Sequence, residues 1–337
     1  MNSFLFLMAA LVAFTVTAVL GWWLIPFLHK LKFGQTIREV GPSWHKNKQG
    51  TPTMGGILFI LGVAAAVCSC VPVYYQQNGP ETYLMQMKIF AGLAMALAYG
   101  AIGFMDDYIS IKKKRNLGLN EKQKLILQFF VAGAYLLTLY LAGEDTATTI
   151  PFLGPVDLGL FYYPLAAILL VGLTNAVNFT DGVDGLNSTV TFFVLMALAL
   201  CAGVLSMAGV AAMGVAAAAA CVGFLIWNFH PAKVFMGDTG SLFLGGMVGA
   251  LAFGLDMPIL LLPAGLVYWL EMISVVLQVA YFKHTKRKYQ EGRRLFKMSP
   301  IHHHFEMCGW SEVKICAAFG AASLAGGALA LCCVLFG

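Results

Sequence analysis

Charged residues are scarce in this chain: they make up 11% of its 337 residues, whereas a soluble domain carries about a quarter. Hydrophobic residues account for 59% instead. The apolar runs recur along the whole chain, so a signal peptide alone cannot explain them. The lack of charge therefore excludes an ordinary soluble protein and indicates an integral membrane protein.

The sequence also lacks any C-x-x-C pair. Six of its eight cysteines lie inside apolar runs, and Cys308 and Cys316 stand apart. We therefore predict neither a disulfide framework nor a zinc site, and interpret the cysteines as small apolar side chains. The net charge of +5 raises nucleic acid as a partner. We expect none, because the positive-inside rule explains the basic residues better.

Ten apolar stretches are each long enough to cross a bilayer, which takes roughly 20 helical residues. They lie near 4–28, 53–71, 87–105, 125–143, 161–178, 188–206, 210–227, 241–256, 258–281 and 313–336. The first has no basic residue before it, so we expect an uncleaved anchor. These stretches predict an all-α polytopic membrane protein with about ten transmembrane helices, forming a single catalytic domain over 1–337.

The basic residues are distributed unevenly among the predicted loops. All but Lys88 of the 21 lysines and arginines fall on one side, in or beside loops 29–52, 106–124, 228–240 and 282–312. Basic loops stay in the cytoplasm, so both termini are expected outside. The acids of the opposite face stand among turn residues, and we interpret them as solvated. They are Glu81, Glu144, Asp145, Asp157 and Asp256.

Two cytoplasmic segments at span ends differ from simple connectors. Residues 50–56 are rich in Gly, Pro and Thr and follow Lys48. Such a segment either starts a helix or admits a phosphate at the helix N-terminus. Asp106 and Asp107 are adjacent carboxylates at the end of the third span. They either form a solvated helix end or are neutralised by a cation or lysine.

Two further segments carry amides, acids and glycines together. In 175–186, Asn175, Asn178, Asp181 and Asp184 recur every three residues. That period places side chains near one face of a helix, and the glycines that follow let the backbone approach a ligand. In 228–241, Asp238 suits an N-cap. Capping does not explain the neighbouring Asn228, Lys233 and Phe235.

A fifth segment, 300–306, contains three consecutive histidines. Three neighbours cannot all face one metal ion from a helix, so zinc is poorly supported, and imidazoles that bind phosphate fit equally well. Together the five segments suit a Mg²⁺ ion that holds a pyrophosphate. Lysines neutralise the phosphate charge, and Phe235 can stack on a base.

These segments closely resemble those of the phospho-N-acetylmuramoyl-pentapeptide-transferase family, in the polyprenyl-phosphate N-acetylhexosamine-1-phosphate transferase superfamily. The resemblance covers essentially the whole chain. The Asp-Asp pair and the Asn/Asp segment are typical of the superfamily, and 300–306 points to the muramoyl-pentapeptide branch. The resemblance implies that UDP-N-acetylmuramoyl-pentapeptide and undecaprenyl phosphate react to give lipid I and UMP. It further implies Mg²⁺, a homodimer and a bacterial inner-membrane location with a cytoplasmic active site.

The resemblance also implies residue roles. Asp238 is expected to bind Mg²⁺. The expected catalytic residues are Asp106, Asp107, Asp238, His302 and His303. The expected substrate contacts are Lys48, Thr53, Lys122, Asn178, Asp181, Asp184, Asn228, Phe235, Gln278 and His304. A bent helix is implied in the ninth span, where Glu271 is a charge within an apolar run and is functional by default.

Two other functions fit some of these features. An N-acetylglucosamine-1-phosphate transferase would share the superfamily motifs. A transporter would also contain intramembrane acids and broken helices. Transport sites lie near the bilayer midplane, whereas these acids gather at one edge, so the transporter is the weaker alternative. Gly245-x-x-x-Gly249 is interpreted as packing within the chain rather than between chains.

Overall fold

The computed structural model describes residues 2–31, 48, 50–79, 82–113 and 118–337. Its helices are α1 (Asn2–Lys30), α2 (Gly56–Asn78), α3 (Tyr83–Lys112), α4 (Glu121–Leu141), α5 (Tyr162–Phe179), α6 (Leu186–Val204), α7 (Ala208–Asn228), α8 (Gly237–Gly254), α9 (Leu261–Ala264), α10 (Leu266–Tyr289), α11 (Ile301–Glu306) and α12 (Glu312–Phe336). Strands β1 (Ala147–Ile150) and β2 (Gly154–Asp157) pair antiparallel. Seven charged residues of the predicted loops, Lys32, Arg38, Glu39, Lys46, Glu81, Lys114 and Arg115, lie outside the described residues.

Nine helices in the described part of the chain are long and apolar enough to cross a membrane. This confirms the prediction of an all-α polytopic membrane protein. The remaining predicted span, 241–256, corresponds to α8, which has 18 residues and contains six glycines. Every α8 residue from Thr239 onward is buried. This helix therefore lies inside the bundle and is enclosed by protein rather than by lipid.

The glycines of α8 allow its neighbours to approach closely. A methyl group at Gly246 would lie 2.7 Å from the Ala96 Cα of α3, and one at Gly245 would lie 2.7 Å from the Thr174 Cα of α5. One at Gly249 would lie 2.7 Å from the Leu170 side chain. Gly245 and Gly249 thus pack against α5, which confirms that this motif serves packing within the chain.

The predicted boundaries of the ninth span, 258–281, are wrong. A 3-10 helix at Pro258–Leu260 and the short α9 come first, and α10 begins only after Gly265. Proline lacks the N–H of a helical hydrogen bond, so Pro258 and Pro263 favour this interruption. At the other end α10 continues to Tyr289, because lysine and arginine are good helix formers and suit a helix C-terminus.

The hairpin end of the bundle, comprising β1, β2 and the chain around Glu144 and Asp256, corrects one interpretation. Lys88 is buried in α3; its Nζ lies 2.9 Å from Glu144 Oε2 and also pairs with Asp256. Glu144 and Asp256 are therefore not simply solvated, since a buried ammonium requires anionic partners. Burial, together with the Asp256 carboxyl, raises the pKa of Glu144 to about 7.

Candidate active site

Three carboxylates meet where α3 ends and α8 begins. Because α3 continues to Lys112, Asp106 and Asp107 lie within its last turns, and Asp238 is the second residue of α8. A methyl group at Gly103 would lie 2.1 Å from the Asp238 carbonyl oxygen. Glycine at this position therefore lets the two helix backbones touch and brings the carboxylates together.

Asp107 joins α3 to the start of α8. Its carboxylate accepts hydrogen bonds from the backbone N–H of Asp238 at 3.2 Å and of Thr239 at 3.0 Å. It also accepts one from the Thr239 hydroxyl at 2.7 Å. The first N–H groups of a helix have no partner within it and favour negative charge. Asp107 therefore caps α8 and fixes the position of Asp238.

Asp238 is held from two further helices. Asn178, near the end of α5, donates to Asp238 Oδ1 at 2.8 Å and to the Ser241 hydroxyl at 2.7 Å. Lys124 of α4 forms an ion pair with Asp238 Oδ2. The nearby Asp106 carboxylate accepts a hydrogen bond from the Leu119 N–H at 2.9 Å.

Lys124, which was not among the predicted contacts, lies in this group of carboxylates, two residues from the predicted contact Lys122. Lys122 is exposed on the first turn of α4, whereas Lys124 points inward. One turn further along, the buried Gln128 accepts a hydrogen bond from Asn175 at 2.7 Å. Residues four apart share a helix face. The spacing of Lys124 and Gln128 is therefore the signal that could have identified the lysine.

Negative charge exceeds positive charge around this carboxylate cluster of Asp106, Asp107, Asp238 and Lys124. Asp181, in the turn after α5, adds a fourth carboxyl group, and no hydrogen bond to it exists among the described residues. Burial raises the pKa of Asp181 well above its usual range, and the charges of Asp238 and Asp107 raise it further. Excess carboxylate oxygens at a membrane edge match the donor set that Mg²⁺ prefers.

A second group of ionisable residues, the lysine cluster, consists of Lys48, Asp184, Glu312 and His230. The Lys48 Nζ donates to Asp184 Oδ1 at 2.7 Å and to Glu312 Oε2 at 2.6 Å. His230 Nδ1 lies 3.2 Å from Asp184 Oδ2. Burial lowers the pKa of Lys48, but its hydrogen bonds to the two carboxylates outweigh burial and raise the pKa overall.

The lysine cluster also has the spacing of a metal site. Ligand atoms of Asp184, His230 and Glu312 lie within 4.8 Å of one another. The Lys48 ammonium already contacts both carboxylates, so a metal ion would compete with it. Neither His230 nor Glu312 was predicted as a site residue. Glu312 is 128 residues from Asp184 in the chain, and no spacing in the sequence connects them.

Asn228 and Phe235 link this cluster to the start of α2. Asn228 Oδ1 accepts a hydrogen bond from the Gly185 N–H at 3.2 Å. The Phe235 N–H donates to the Pro52 carbonyl at 2.8 Å, and its ring is half-buried. Residues 50–56 and residues 228–241 are therefore joined through their backbones.

Thr53 lies against the carboxylate cluster. A methyl group at Gly237 would lie 2.6 Å from Thr53 Oγ1 and 2.4 Å from Asp107 Oδ2. Gly237 has a φ of 69°, a left-handed conformation that favours glycine. The residue before Asp238 is therefore glycine for two reasons, its backbone conformation and the lack of space.

The three histidines are placed differently. His302 is buried beside Glu271, while His303 Nδ1 lies 2.5 Å from Glu306 Oε2. His304 Nδ1 accepts a hydrogen bond from the Lys297 N–H at 3.2 Å. Close to it, Gln278 Oε1 accepts from the Phe296 N–H at 2.9 Å. Gln278 and His304 thus hold the chain that connects α10 to α11.

Most of the predicted site residues therefore gather at one end of the bundle, the site end, in two neighbouring clusters. The carboxylate cluster contains Asp106, Asp107 and Asp238, and Asn178 and Thr53 lie against it. The lysine cluster contains Lys48 and Asp184, and Asn228 lies beside it. Asp181 lies between the clusters, since the charges of Asp238, Asp107 and Asp184 all act on it. Lys122 stands apart on the exposed surface.

Two family models match the chain. The model described as Glycosyl transferase family 4 matches residues 89–256. The model described as phospho-N-acetylmuramoyl-pentapeptide-transferase signature 1 matches residues 48–60. The first match covers the whole carboxylate cluster, and the second begins at Lys48 and contains Thr53.

Curated proteins resemble the chain over almost its full length. A phospho-N-acetylmuramoyl-pentapeptide-transferase of Heliobacterium modesticaldum is 46% identical, over 94% of each chain. Another, of Bacillus subtilis, is 44% identical over 94% of each chain. A third, of Halalkalibacterium halodurans, is 43% identical over 93% of this chain and 92% of its own.

Proposed function

The chain belongs to the phospho-N-acetylmuramoyl-pentapeptide-transferase family, and from this premise we propose that it catalyses the reaction for which the family is named. It transfers phospho-N-acetylmuramoyl-pentapeptide from UDP-N-acetylmuramoyl-pentapeptide to undecaprenyl phosphate. The products are lipid I and UMP. This is the first membrane step of peptidoglycan synthesis.

The carboxylate cluster is the observation that supports this reaction most. It lies at the site end of the helices, where a lipid phosphate and a soluble nucleotide can both reach it. Its carboxylates outnumber the paired Lys124, so it suits a cation that carries phosphate charge. Phosphoryl transfer depends chiefly on positioning and on stabilising charge, which such a cluster provides.

Mg²⁺ is the cation proposed for this cluster. Asp238 and Asp106 would hold it, because Asp107 already accepts three hydrogen bonds from the start of α8. When bound, the ion would neutralise negative charge on the pyrophosphate. Asp107 keeps Asp238 in place, and Lys124 lies where it can balance charge on the departing phosphate.

The nucleotide is proposed to bind towards the lysine cluster. The Asp181 carboxyl group accepts no hydrogen bond from the described residues, so it is available to a ligand. The half-buried Phe235 presents a ring that a uracil can stack on. Asn178, Asp184, Asn228 and Lys48 complete the proposed nucleoside contacts. Gln278, His303 and His304 are proposed to support the sugar-phosphate side.

Direct attack of the lipid phosphate is the favoured route. An alkyl phosphate is already an anion at neutral pH, so its oxygen needs no strong base to attack the β-phosphorus of the nucleotide. The P–O bond to UMP breaks as the new P–O bond forms. Asp106 then guides the acceptor phosphate rather than forming a covalent intermediate.

A donor-substrate assay tests this function. Purified protein receives undecaprenyl phosphate and radiolabelled UDP-N-acetylmuramoyl-pentapeptide, with UDP-N-acetylglucosamine as the alternative donor. We expect labelled lipid and equimolar UMP from the muramoyl donor only. Labelled lipid from UDP-N-acetylglucosamine alone would assign the chain to the other branch, and uptake into vesicles without UMP release would indicate transport.

The proposed orientation places the site end in the cytoplasm of a bacterial inner membrane, with a homodimer as the assembly. Cys308 is exposed near α11 and serves as a native reporter of the site end. In a background with the other cysteines replaced, it should react with an impermeant thiol reagent only from the cytoplasmic side. Asp157→Cys, at the exposed hairpin, should react only from outside. Reaction of both cysteines from the same side would contradict this topology. The proposed homodimer is tested separately, by measuring the molar mass of the protein in detergent by light scattering.

A further inference from the structure

One acid in the membrane-spanning part of α10 belongs to neither cluster. Glu271 follows an apolar stretch that starts at Leu266, and its side chain has no solvent exposure. A buried carboxylate in a spanning helix is costly and requires a partner that compensates for lost hydration. The identity of that partner indicates what the charge does.

The partner of Glu271 is His302. The imidazole Nδ1 lies 3.1 Å from Glu271 Oε1, a close charge contact that lacks hydrogen-bond alignment. The His302 backbone N–H donates to Oε2 at 3.5 Å. Both carboxylate oxygens thus contact one residue, through its ring and through its backbone. A bare ring nitrogen and a carboxylate oxygen would repel each other at this distance, so we assign the proton to Nδ1, and Nε2 forms the opposite edge of the ring.

The opposite edge of the ring reaches the turn between α5 and α6. Nε2 is buried and has no hydrogen-bond partner among the described residues. A methyl group at Gly182 would lie 2.1 Å from Nε2, so the ring edge abuts the backbone there. Gly182 stands between Asp181 and Asp184, which belong to the proposed nucleotide site. The chain of contacts therefore runs from Glu271 through His302 to this turn.

We propose that Glu271 is a positioning residue for nucleotide binding, acting through His302 on the turn that contains Asp181, Gly182 and Asp184. The carboxylate fixes the ring orientation and the protonated nitrogen of His302. The opposite edge of the ring then fixes the position of the turn to which the nucleotide is proposed to bind. This role rests on the proposed function, because that function assigns the nucleotide to this turn.

Calorimetry of UMP binding in detergent tests the proposal. Glu271→Ala should weaken UMP binding by about tenfold, the lower end of losses seen when an orienting residue is removed. Glu271→Gln keeps an amide oxygen that can face the Nδ1 edge of the ring, so its affinity should stay within about threefold of wild type. Ser274→Ala is the matched control. Ser274 is buried one turn away and donates only to the Glu271 carbonyl, so its removal should leave UMP affinity unchanged.

A double-mutant cycle distinguishes positioning through His302 from a general loss of packing. In a His302→Ala background, Glu271→Ala should change UMP affinity by less than about twofold. Independent, additive losses would overturn the proposal, as would equal losses in the Gln and Ala variants. An unaltered affinity in Glu271→Ala would overturn it as well.

Nitrogen-15 spectra of histidine-labelled protein report on the ring itself. The His302 signal, identified by its loss in His302→Ala, should show a protonated Nδ1 in wild type and Glu271→Gln. This readout does not depend on catalysis.

If wild type binds UMP but forms no lipid product, the proposed reaction fails while the positioning role stands. An Nε2–H form in wild type would refute the positioning role whatever the reaction.

Discussion

Both ends of the helix bundle bury a lysine among carboxylates, but the two arrangements differ in how completely the charges are matched. At the hairpin end the Lys88 side chain is 3% exposed and pairs with two carboxylates, Glu144 and Asp256, of which Asp256 is 33% exposed. At the site end the Lys124 and Asp238 side chains are 17% and 27% exposed. There Asp106, Asp107 and Asp181 add further carboxyl groups. The hairpin cluster, in which one lysine pairs with two carboxylates, can stabilise the fold, whereas the further carboxyl groups of the site end suit a ligand.

The sharpest test of this contrast removes one charge at each end. Asp238→Asn should lower turnover by about 10²–10³-fold, as losing a positioned electrostatic group typically does. Glu144→Gln should leave turnover within about twofold, because its carboxyl pairs with Lys88 at the opposite end of the bundle from the site. Initial rates of lipid I formation over a range of Mg²⁺ concentrations measure both. Near-normal turnover of the Asp238 variant at low Mg²⁺ would contradict the assignment.

The two adjacent acids should separate within the site end. Asp106→Asn and Asp107→Asn should each lose most turnover, yet keep UMP affinity within roughly tenfold, about 1.4 kcal/mol. Only Asp107→Asn should also lower the melting temperature, because the new amide nitrogen cannot accept from an N–H at the start of α8, and a lost hydrogen bond costs about 0.5–1.5 kcal/mol. Rates, calorimetry and thermal melting give the three numbers. If UMP binding falls as far as turnover, both residues position the nucleotide instead.

Phe235 should show the reverse behaviour. Phe235→Ala is expected to weaken UMP binding by about 1–3 kcal/mol, the usual contribution of a ring stacked on a base. Phe161→Ala serves as the control, because Phe161 is 77% exposed near the hairpin end. Calorimetry compares the two variants, and equal affinities would exclude stacking at Phe235.

The smallest expected effect is a pH dependence of stability from the hairpin end. The folded-state pKa of Glu144 is raised from its ordinary value of 4.5 to about 7. The folded protein therefore holds this proton more tightly than the unfolded chain. The resulting stabilisation is complete below pH 4.5 and is lost as the pH rises through 7. Melting temperatures between pH 5 and 8 should fall less steeply in Glu144→Gln than in wild type.

Long apolar runs were the most informative part of the sequence, because a spanning helix needs little beyond length and hydrophobicity. The boundaries were less accurate where helices leave the apolar region. α3 continues past Asp107 to Lys112, and α10 continues to Tyr289, since polar residues extend a helix readily. The short breaks around α9 depend on two prolines, which hydropathy does not weigh.

Clusters were harder to predict than segments. The carboxylates and amides of the site end could be found because they stand in short polar runs. Glu312, His230 and Glu271 could not be connected to their partners, since each contact joins residues far apart in the chain. Lys88 and Glu144 illustrate the same difficulty. Each looks like a boundary or turn residue until the fold brings them within 2.9 Å.

The enclosed helix α8 has a consequence for how the protein enters the membrane. Its 18 residues include six glycines and Asp238, so the segment has a weak tendency to partition into lipid alone. Its hydrogen-bonded cap comes from α3, and its packing surfaces come from α3 and α5. We therefore expect α8 to settle in the bilayer only alongside these earlier helices. The order of synthesis supplies this arrangement, because both α3 and α5 leave the ribosome before α8 does.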